Sequence, residues 1–465
     1  MSLRSVYERA PIAVQNLMAT GYGLRELRRR HTGDFRGLTG QLGVQQWWTE
    51  ERLAADQLTR LRSMLTFCGT RVPHYRDLFA SLGFDPRDLR DLGDLALLPV
   101  LDKEEVRTAP ERFRPVEPRD ATVAQTTGGT TGTPLSYWAT LDAVQFNYAT
   151  YEARSREWAG VRLGDRTASL HGQPIVPLGQ ERGPWWRHNL AFRQLYLSVY
   201  HLNQTTVPAY IGALERFDPE VVVGYTSAVH RLARHLVETG DLGRIRPRAV
   251  MVSSECLLPA ARADMELAFG CPVHNAYSLG ELVAYVSECP HGELHVSTEY
   301  GVVELAERDG RTEIVATGLI NEGMPLLRYR TGDVADAADP GPSRCGRGLP
   351  RMGSIEGRLD DVVRTPEGAT VGPAPMSLAF QRVPHLRRAQ VVQDSTDELL
   401  VRLEPGEGFG PEDQDFLDGE LRLRLGPSLR LRYELVDELP RTSGGKERLV
   451  VSSLGTEDPS ASEQQ

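Results

Sequence analysis

The spacing of apolar positions divides the chain into regions of different character. Up to about residue 115 the apolar residues recur at helical intervals between polar loops. Leu58, Leu61 and Leu65, for instance, fall on one face of Ala54–Thr66, the pattern of an amphipathic helix. From about residue 116, short apolar runs alternate with helical segments: Glu220–Gly224 precedes a helical Ser227–Glu238, and Ala249–Ser253 precedes a helical Pro259–Phe269. Such alternation predicts an α/β domain. Strands dominate from about 293 to 335, at His295–Glu304, Glu313–Thr317 and Leu326–Tyr329, before loops rich in Gly, Pro and Asp over 335–350.

A second unit follows. Val362–Val371 reads as a hairpin around Pro366-Glu367-Gly368, Pro411–Leu425 as a helix with Pro and acids in its first turn, and Arg430–Val436 as a returning strand. The pattern predicts a large multi-sheet α/β N-terminal domain over 1–357 and a boundary at 358–361. A small α+β C-terminal domain over 362–453 and a polar, disordered tail over 454–465 complete it. A length of 465 residues supports the division, since single cores stop growing well below that size.

Composition narrows the function classes. With 40% hydrophobic and 25% charged residues the chain reads as soluble and globular. A net charge of -10 argues against nucleic acid as a partner. No apolar run reaches the roughly 20 residues that span a bilayer, and the N-terminus has no secretory apolar core. The five cysteines (Cys68, Cys256, Cys271, Cys289 and Cys345) are scattered and odd in number, unlike a disulfide framework. The expectation is a cytoplasmic protein with reduced thiols. Of 53 basic residues only Lys103 and Lys446 are lysine, leaving 51 Arg, so chemistry that requires lysine has two candidates.

Several chemistries are then set aside. Neither lysine follows a glycine-rich loop as a Walker A site requires, and no G-x-S-x-G, H-E-x-x-H or G-x-G-x-x-G occurs. Three segments retain chemical content. Thr126-Thr127-Gly128-Gly129-Thr130-Thr131-Gly132-Thr133-Pro134 can converge backbone N–H groups and hydroxyls on phosphate, or be a ligand-free hairpin loop. In Tyr329-Arg330-Thr331-Gly332-Asp333 a carboxylate stands where it can accept from ribose hydroxyls; a plain turn has the same letters. Leu439-Pro440-Arg441-Thr442-Ser443-Gly444-Gly445-Lys446 presents one ammonium on a flexible loop, in a chain that elsewhere uses arginine.

In this order the segments resemble the adenylate-forming superfamily of acyl-CoA synthetases, luciferases and peptide-synthetase adenylation domains. Within it they resemble the phenylacetate–CoA ligase and capsular-polysaccharide-biosynthesis branch. Val72-Pro73-His74-Tyr75-Arg76, Leu98-Pro99-Val100-Leu101-Asp102-Lys103, Glu288-Cys289-Pro290-His291-Gly292, Cys345-Gly346-Arg347-Gly348 and Gly357-Arg358-Leu359-Asp360-Asp361 add to the likeness, which runs from about 55 to 453.

The resemblance implies roles. Thr127, Gly128, Gly129, Thr130, Thr131 and Gly132 would hold the triphosphate of ATP; Ser254 and Glu255 would line the adenine pocket, and Tyr277 would stack on the base. Glu281 would hold Mg²⁺, Asp333 the ribose, and Arg358 would lie near phosphates or ribose. Residues 358–361, with Asp360, would be the hinge on which 362–453 moves as a lid, and Lys446 would contact the carboxylate and α-phosphate, while Lys103 reads as structural. The implied activity is an AMP-forming ligase that adenylates a carboxylic acid and passes the acyl group to CoA or a carrier-protein thiol. An amine acceptor, adenylyl transfer to a cofactor, and a degenerate nucleotide-binding protein are the alternatives. Two departures stand out: Ser278 and Gly280 are transposed relative to the usual Gly and Ser/Thr, and Arg364–Ala369 replaces a Gly-rich segment that touches CoA. Tyr225, Trp185 and Trp186 either line an aromatic acid pocket or pack the core. Cys289, His291, His295 and Cys345 form a candidate zinc set, with Ser343 where relatives carry a further cysteine.

Overall fold

A computed structural model of the chain describes residues 3–31, 33–117, 121–126, 135–203, 205–255, 257, 259–308, 311–338, 341–357, 363–371, 375–376, 379–380, 382–437, 439–440 and 449–454. The chain opens with helices α1 (Leu3–Arg9), α2 (Ile12–His31), α3 (Phe35–Gln45), α4 (Glu50–Arg71) and α5 (Pro73–Leu82). Helix α4 illustrates how the sequence sets its bounds. Thr49 caps its first turn, Glu50 and Glu51 lie at the positive end of its dipole, and Arg71 at the negative end. Its buried face carries Leu61, Met64, Leu65 and Cys68, and Pro73 then opens α5. After α6 (Lys103–Thr108), strands β1 (Thr122–Thr126) and β2 (Ser136–Thr140) pair antiparallel, and α7 (Leu141–Thr150) follows.

A nine-stranded sheet forms the centre. Its parallel part runs β5 (Gln194–Leu197), β3 (Thr167–Leu170), β6 (Val221–Tyr225), β7 (Ala249–Ser253), β8 (Val273–Ser278). Helices α8 (Val207–Phe217), α9 (Thr226–Thr239) and α10 (Pro259–Phe269) connect these strands. In β6, Val221, Val222, Val223 and Gly224 are all buried, as expected for a strand covered on both faces. Gly224 permits the close approach: a Cβ there would lie 2.7 Å from the Leu170 carbonyl oxygen. Helix α9 covers the sheet with Val229, Leu232, Ala233 and Leu236, a helical stripe, and ends at Gly240 in the left-handed region. Strand β4 (Trp186–Asn189) flanks β5, and β9 (Tyr285–Glu288), β10 (Leu294–Val296) and β14 (Arg351–Met352) extend the other edge, all antiparallel.

A second sheet is the antiparallel meander β11 (Gly301–Arg308), β12 (Arg311–Gly318), β13 (Tyr329–Ala335) and β15 (Ile355–Gly357). The small unit near the C-terminus has its own apolar cluster around Val391, Val401, Leu417 and Leu421. It comprises the pair β16 (Val363–Arg364) and β17 (Thr370–Val371), and a sheet in the order β20 (Arg430–Leu435), β19 (Glu398–Pro405), β18 (Leu386–Gln393), β21 (Val450–Ser452). Helix α11 (Pro411–Leu425) packs on that sheet. The expected multi-sheet α/β fold with a small C-terminal α+β unit is thus the one observed.

Two strand expectations differ in detail. His295–Glu304 breaks into β10 and β11, because Ser297–Tyr300 turns and carries Glu299 into the interior against Arg154 at 2.6 Å, both side chains buried. Leu326–Tyr329 is mostly irregular, since Leu327 N–H is taken by the Tyr75 hydroxyl and Arg328 N–H by the Thr317 hydroxyl instead of a ladder. Among the described residues no helix is long and apolar enough to cross a membrane.

Candidate functional site

Ligands of open parallel sheets bind at the carboxyl ends of the strands. Here those ends present His171 after β3, Tyr225 on β6, Ser253, Ser254 and Glu255 on and after β7, and Tyr277 and Ser278 on β8. The phenol of Tyr277 donates to Asp333 Oδ2 at 2.8 Å. Burial, with the charge of Asp333, pushes that phenol well above its ordinary range, so it remains a neutral donor. Asp333 arrives on β13, whose alternation buries Tyr329, Thr331, Asp333 and Ala335 on one face. Gly332 supplies a positive φ of 79° just before it.

Glu281 follows β8, buried to 6% exposure. Its Oε1 accepts from the Tyr329 hydroxyl at 3.1 Å and lies 3.6 Å from Lys103 Nζ. Lys103 therefore does more than open a helix. Leu101 N–H donates to the Arg328 carbonyl and Arg330 N–H donates to the Leu101 carbonyl, both at 2.9 Å, stitching the Leu98–Lys103 segment along β13. Asp102 pairs with Arg330 at 2.8 Å, and the lysine that follows is delivered to Glu281. One buried carboxylate of this kind suits Mg²⁺, which is commonly held by one or two carboxylates together with substrate phosphates.

Glu255 has a local partner. Its carboxylate accepts from Ser227 N–H at 2.7 Å and the Ser227 hydroxyl at 3.1 Å, at the N-terminal turn of α9. Burial nonetheless raises its pKa. Ser254 beside it is exposed and holds φ at 70°, a costly value for a non-glycine residue. His171, missed in the sequence, packs edge-on to Tyr225 with ring centroids 5.6 Å apart, and burial lowers its pKa to about 4. Trp185 stacks on Tyr210 at 6.2 Å and Trp186 meets the same ring edge-on, so both tryptophans pack against the sheet's helical layer. Thr127–Gly132, expected from the sequence to hold phosphate, together with Arg358, Asp360 and Lys446, lie outside the described residues.

A separate cluster forms where β10 meets the loop before β14. Ligand atoms of Cys289, Glu293, His295 and Cys345 all lie within 4.8 Å of one another. His295 Nδ1 faces the Leu349 carbonyl at 3.1 Å, and its Nε2 faces Cys345 Sγ at 3.3 Å. A ring that donates Nδ1–H to a carbonyl offers its Nε2 lone pair to a metal. The structure brings together three of the four expected ligands. His291 is exposed on the turn, where its backbone carbonyl accepts from Arg344, and Glu293 occupies the fourth position. Glu293 is held as a carboxylate: burial works against ionisation, but hydrogen bonds from Ser343, Arg344 and Arg351 bring its pKa down to about 2. Only its position two residues before His295, at the end of the turn that leads into β10, could have signalled it.

Residues 363–453 match the CapK C-terminal domain family. Over 455 residues the chain is 26% identical to Protein CapK of Staphylococcus aureus, covering 97% of this chain and all of that one. It is 27% identical over 445 residues to phenylacetate-coenzyme A ligase of Thermus thermophilus, covering 86% and 96%. A solved structure of 2-hydroxyisobutyryl-CoA ligase, in complex with 2-HIB-AMP and CoA in the thioesterification state, superposes with a TM-score of 0.57 at 21% identity. That match covers 88% of this chain and 91% of the other. The chain's homologues are thus CapK and the phenylacetate–CoA ligases, and its fold is that of adenylate-forming enzymes.

Proposed function

We propose that this relative of the phenylacetate–CoA ligases adenylates a carboxylic acid with ATP and passes the acyl group to a thiol, that of CoA or a carrier protein. The homologues support the coarser statement, an AMP-forming acid–CoA ligase. The observation that carries the reading is the gathering of Glu281, Lys103, Tyr277 and Asp333 at the carboxyl ends of the central strands.

In the first half-reaction a carboxylate oxygen bonds to the α-phosphorus, the bond to the bridging oxygen breaks, and pyrophosphate leaves. In the second, the thiol sulfur attacks the acyl carbon and AMP departs with the bonding electrons. Charge builds on both sides of the α-phosphorus, so positioning and fixed charges do the work and no protein nucleophile is needed. Asp333, oriented by Tyr277, accepts from ribose hydroxyls. Glu281, flanked by Lys103, would hold Mg²⁺, which when bound neutralises charge on the leaving phosphates. Lys446 supplies the cation to the α-phosphate and the acid.

The Cys289, Glu293, His295 and Cys345 cluster would hold a structural zinc: thiolate, imidazole and carboxylate are each zinc donors, and four of them complete a tetrahedral set.

The test is product analysis of the full chain with ATP and an acid panel. Pyrophosphate should appear with the acid alone, and AMP only once CoA or a carrier thiol is added. Mass spectrometry showing an amide or an adenylylated cofactor would move the acceptor to the alternatives. Wild-type adenylation by Lys446→Ala would remove that residue from the mechanism.

A further inference from the structure

The seam between helix α9 and the C-terminal unit carries an excess of positive charge. Glu420 is shared by two guanidinium groups, Arg382 and Arg424, each at 2.8 Å. A third, Arg231 on α9, lies beside them, and among the described residues no carboxylate pairs with it. Among the described residues its one hydrogen bond runs from a terminal nitrogen to the Arg424 carbonyl oxygen at 2.8 Å. Burial, and then the charge of Arg424, pulls its pKa down to about 10. Across the seam His201 is kept neutral, chiefly by burial, and its Nε2 is buried without a hydrogen-bond partner. It therefore adds no further positive charge to the seam, and cannot offset that of Arg231. A half-buried guanidinium with no carboxylate partner is unfavourable unless something compensates it.

The compensation has a place to come from. Arg231 and Arg424 line a narrow cleft that also takes in Tyr225 and Ser227 from the sheet's carboxyl end and Val371 from the C-terminal unit. Ser227 is one helical turn before Arg231 on α9, so the two share a face. The cleft is thus apolar and aromatic at the end nearest the strand tips and cationic one turn further out.

We propose that this cleft holds a second anionic group of the acid: besides the carboxylate that is activated, the substrate carries a further carboxylate or comparable oxyanion that pairs with Arg231 while its carbon skeleton lies against Tyr225. This inference rests on the adenylation reading above and names the class of acid for the same site. The narrowness of the cleft favours a terminal oxyanion over a bulky nucleotide.

Matched pairs of acids, each a monocarboxylate and its analogue with a distal carboxylate on the same skeleton, test it by pyrophosphate release from the full chain. The dianionic member of at least one pair should show kcat/KM higher by about tenfold or more, the worth of one charge-assisted hydrogen bond. Arg231→Gln should abolish that preference, mainly through KM, and Arg231→Lys should restore part of it. Arg234→Gln is the control. Arg234 also reaches across the seam, donating to the Glu367 carbonyl oxygen at 2.6 Å, but it is not among the residues that line the cleft, so the preference should survive its loss. Equal or better use of monocarboxylates in every pair overturns the proposal, as does a preference unchanged in Arg231→Gln or equally lost in Arg234→Gln. An Arg231→Gln defect confined to the thiol step with CoA, and absent with a phosphate-free thiol, would reassign the charge to CoA and overturn it too. No pyrophosphate from any acid overturns the adenylation reading itself, and this inference with it.

Discussion

Glu281 and Lys103 show what can and cannot be read at the scale of a single residue. The type and order of Tyr277, Glu281 and Asp333 were legible, because each stands in a segment whose neighbours constrain it. Lys103 was legible only as a residue opening a helix. Its contact with Glu281 depends on the Leu98–Lys103 segment lying along β13, a pairing between positions 228 residues apart that no local pattern encodes. His171 and Arg231 were missed for a similar reason: each has meaning only through what the sheet and the C-terminal unit place beside it. The assignment to Glu281 has a direct consequence. Glu281→Gln keeps the shape and an acceptor for Tyr329 but removes the charge, so acid-dependent pyrophosphate release should fall about a hundredfold or more. Thermal unfolding measured in parallel separates this from a loss of fold; release within a few fold of wild type would contradict the role.

At the scale of elements, the helices and parallel strands were the most legible. Pro259–Phe269 and Pro411–Leu425 have the bounds expected from the sequence, because proline opens both and the apolar pattern ends where they end. The strands of the second sheet were less so, since side chains such as Tyr75 and Thr317 take backbone N–H groups that would otherwise continue a ladder. The β9–β10 turn carries the same lesson for chemistry. Spacing alone favoured His291, yet the turn leaves it exposed, and hydrogen bonds from Ser343, Arg344 and Arg351 hold Glu293 beside His295. Zinc analysis of purified variants distinguishes the two sets. Cys345→Ser should fall below about half an equivalent, Glu293→Ala should yield its metal to a chelator more readily, and His291→Ala should match wild type. Metal loss in His291→Ala alone would reverse the assignment.

For the whole molecule, the division into a large α/β body and a smaller α+β unit was visible because the apolar periodicity changes along the chain. How the two meet was not, because the seam is built from Arg231, Arg234, Arg382 and Arg424, and arginine is the commonest charge everywhere in this sequence. The fold also sets a response to acid. Burial lowers the pKa of His31 from 6.5 to about 4, so between those values the unfolded chain takes up a proton that the folded chain does not. Stability from this residue is present above pH 6.5 and is lost as pH falls toward 4. The denaturation midpoint should drop between pH 7 and pH 5 by less in His31→Gln than in wild type; equal drops would show that His31 titrates normally in the folded chain.

Adenylation at the strand ends is decided by pyrophosphate release from the full chain with ATP, Mg²⁺ and a panel of aryl, fatty, amino and sugar acids, in the absence of any thiol. Release should depend on the acid, with an acyl-adenylate recoverable from the enzyme and no ADP formed. Acid-independent hydrolysis, formation of ADP and phosphate, or silence across the whole panel would contradict it.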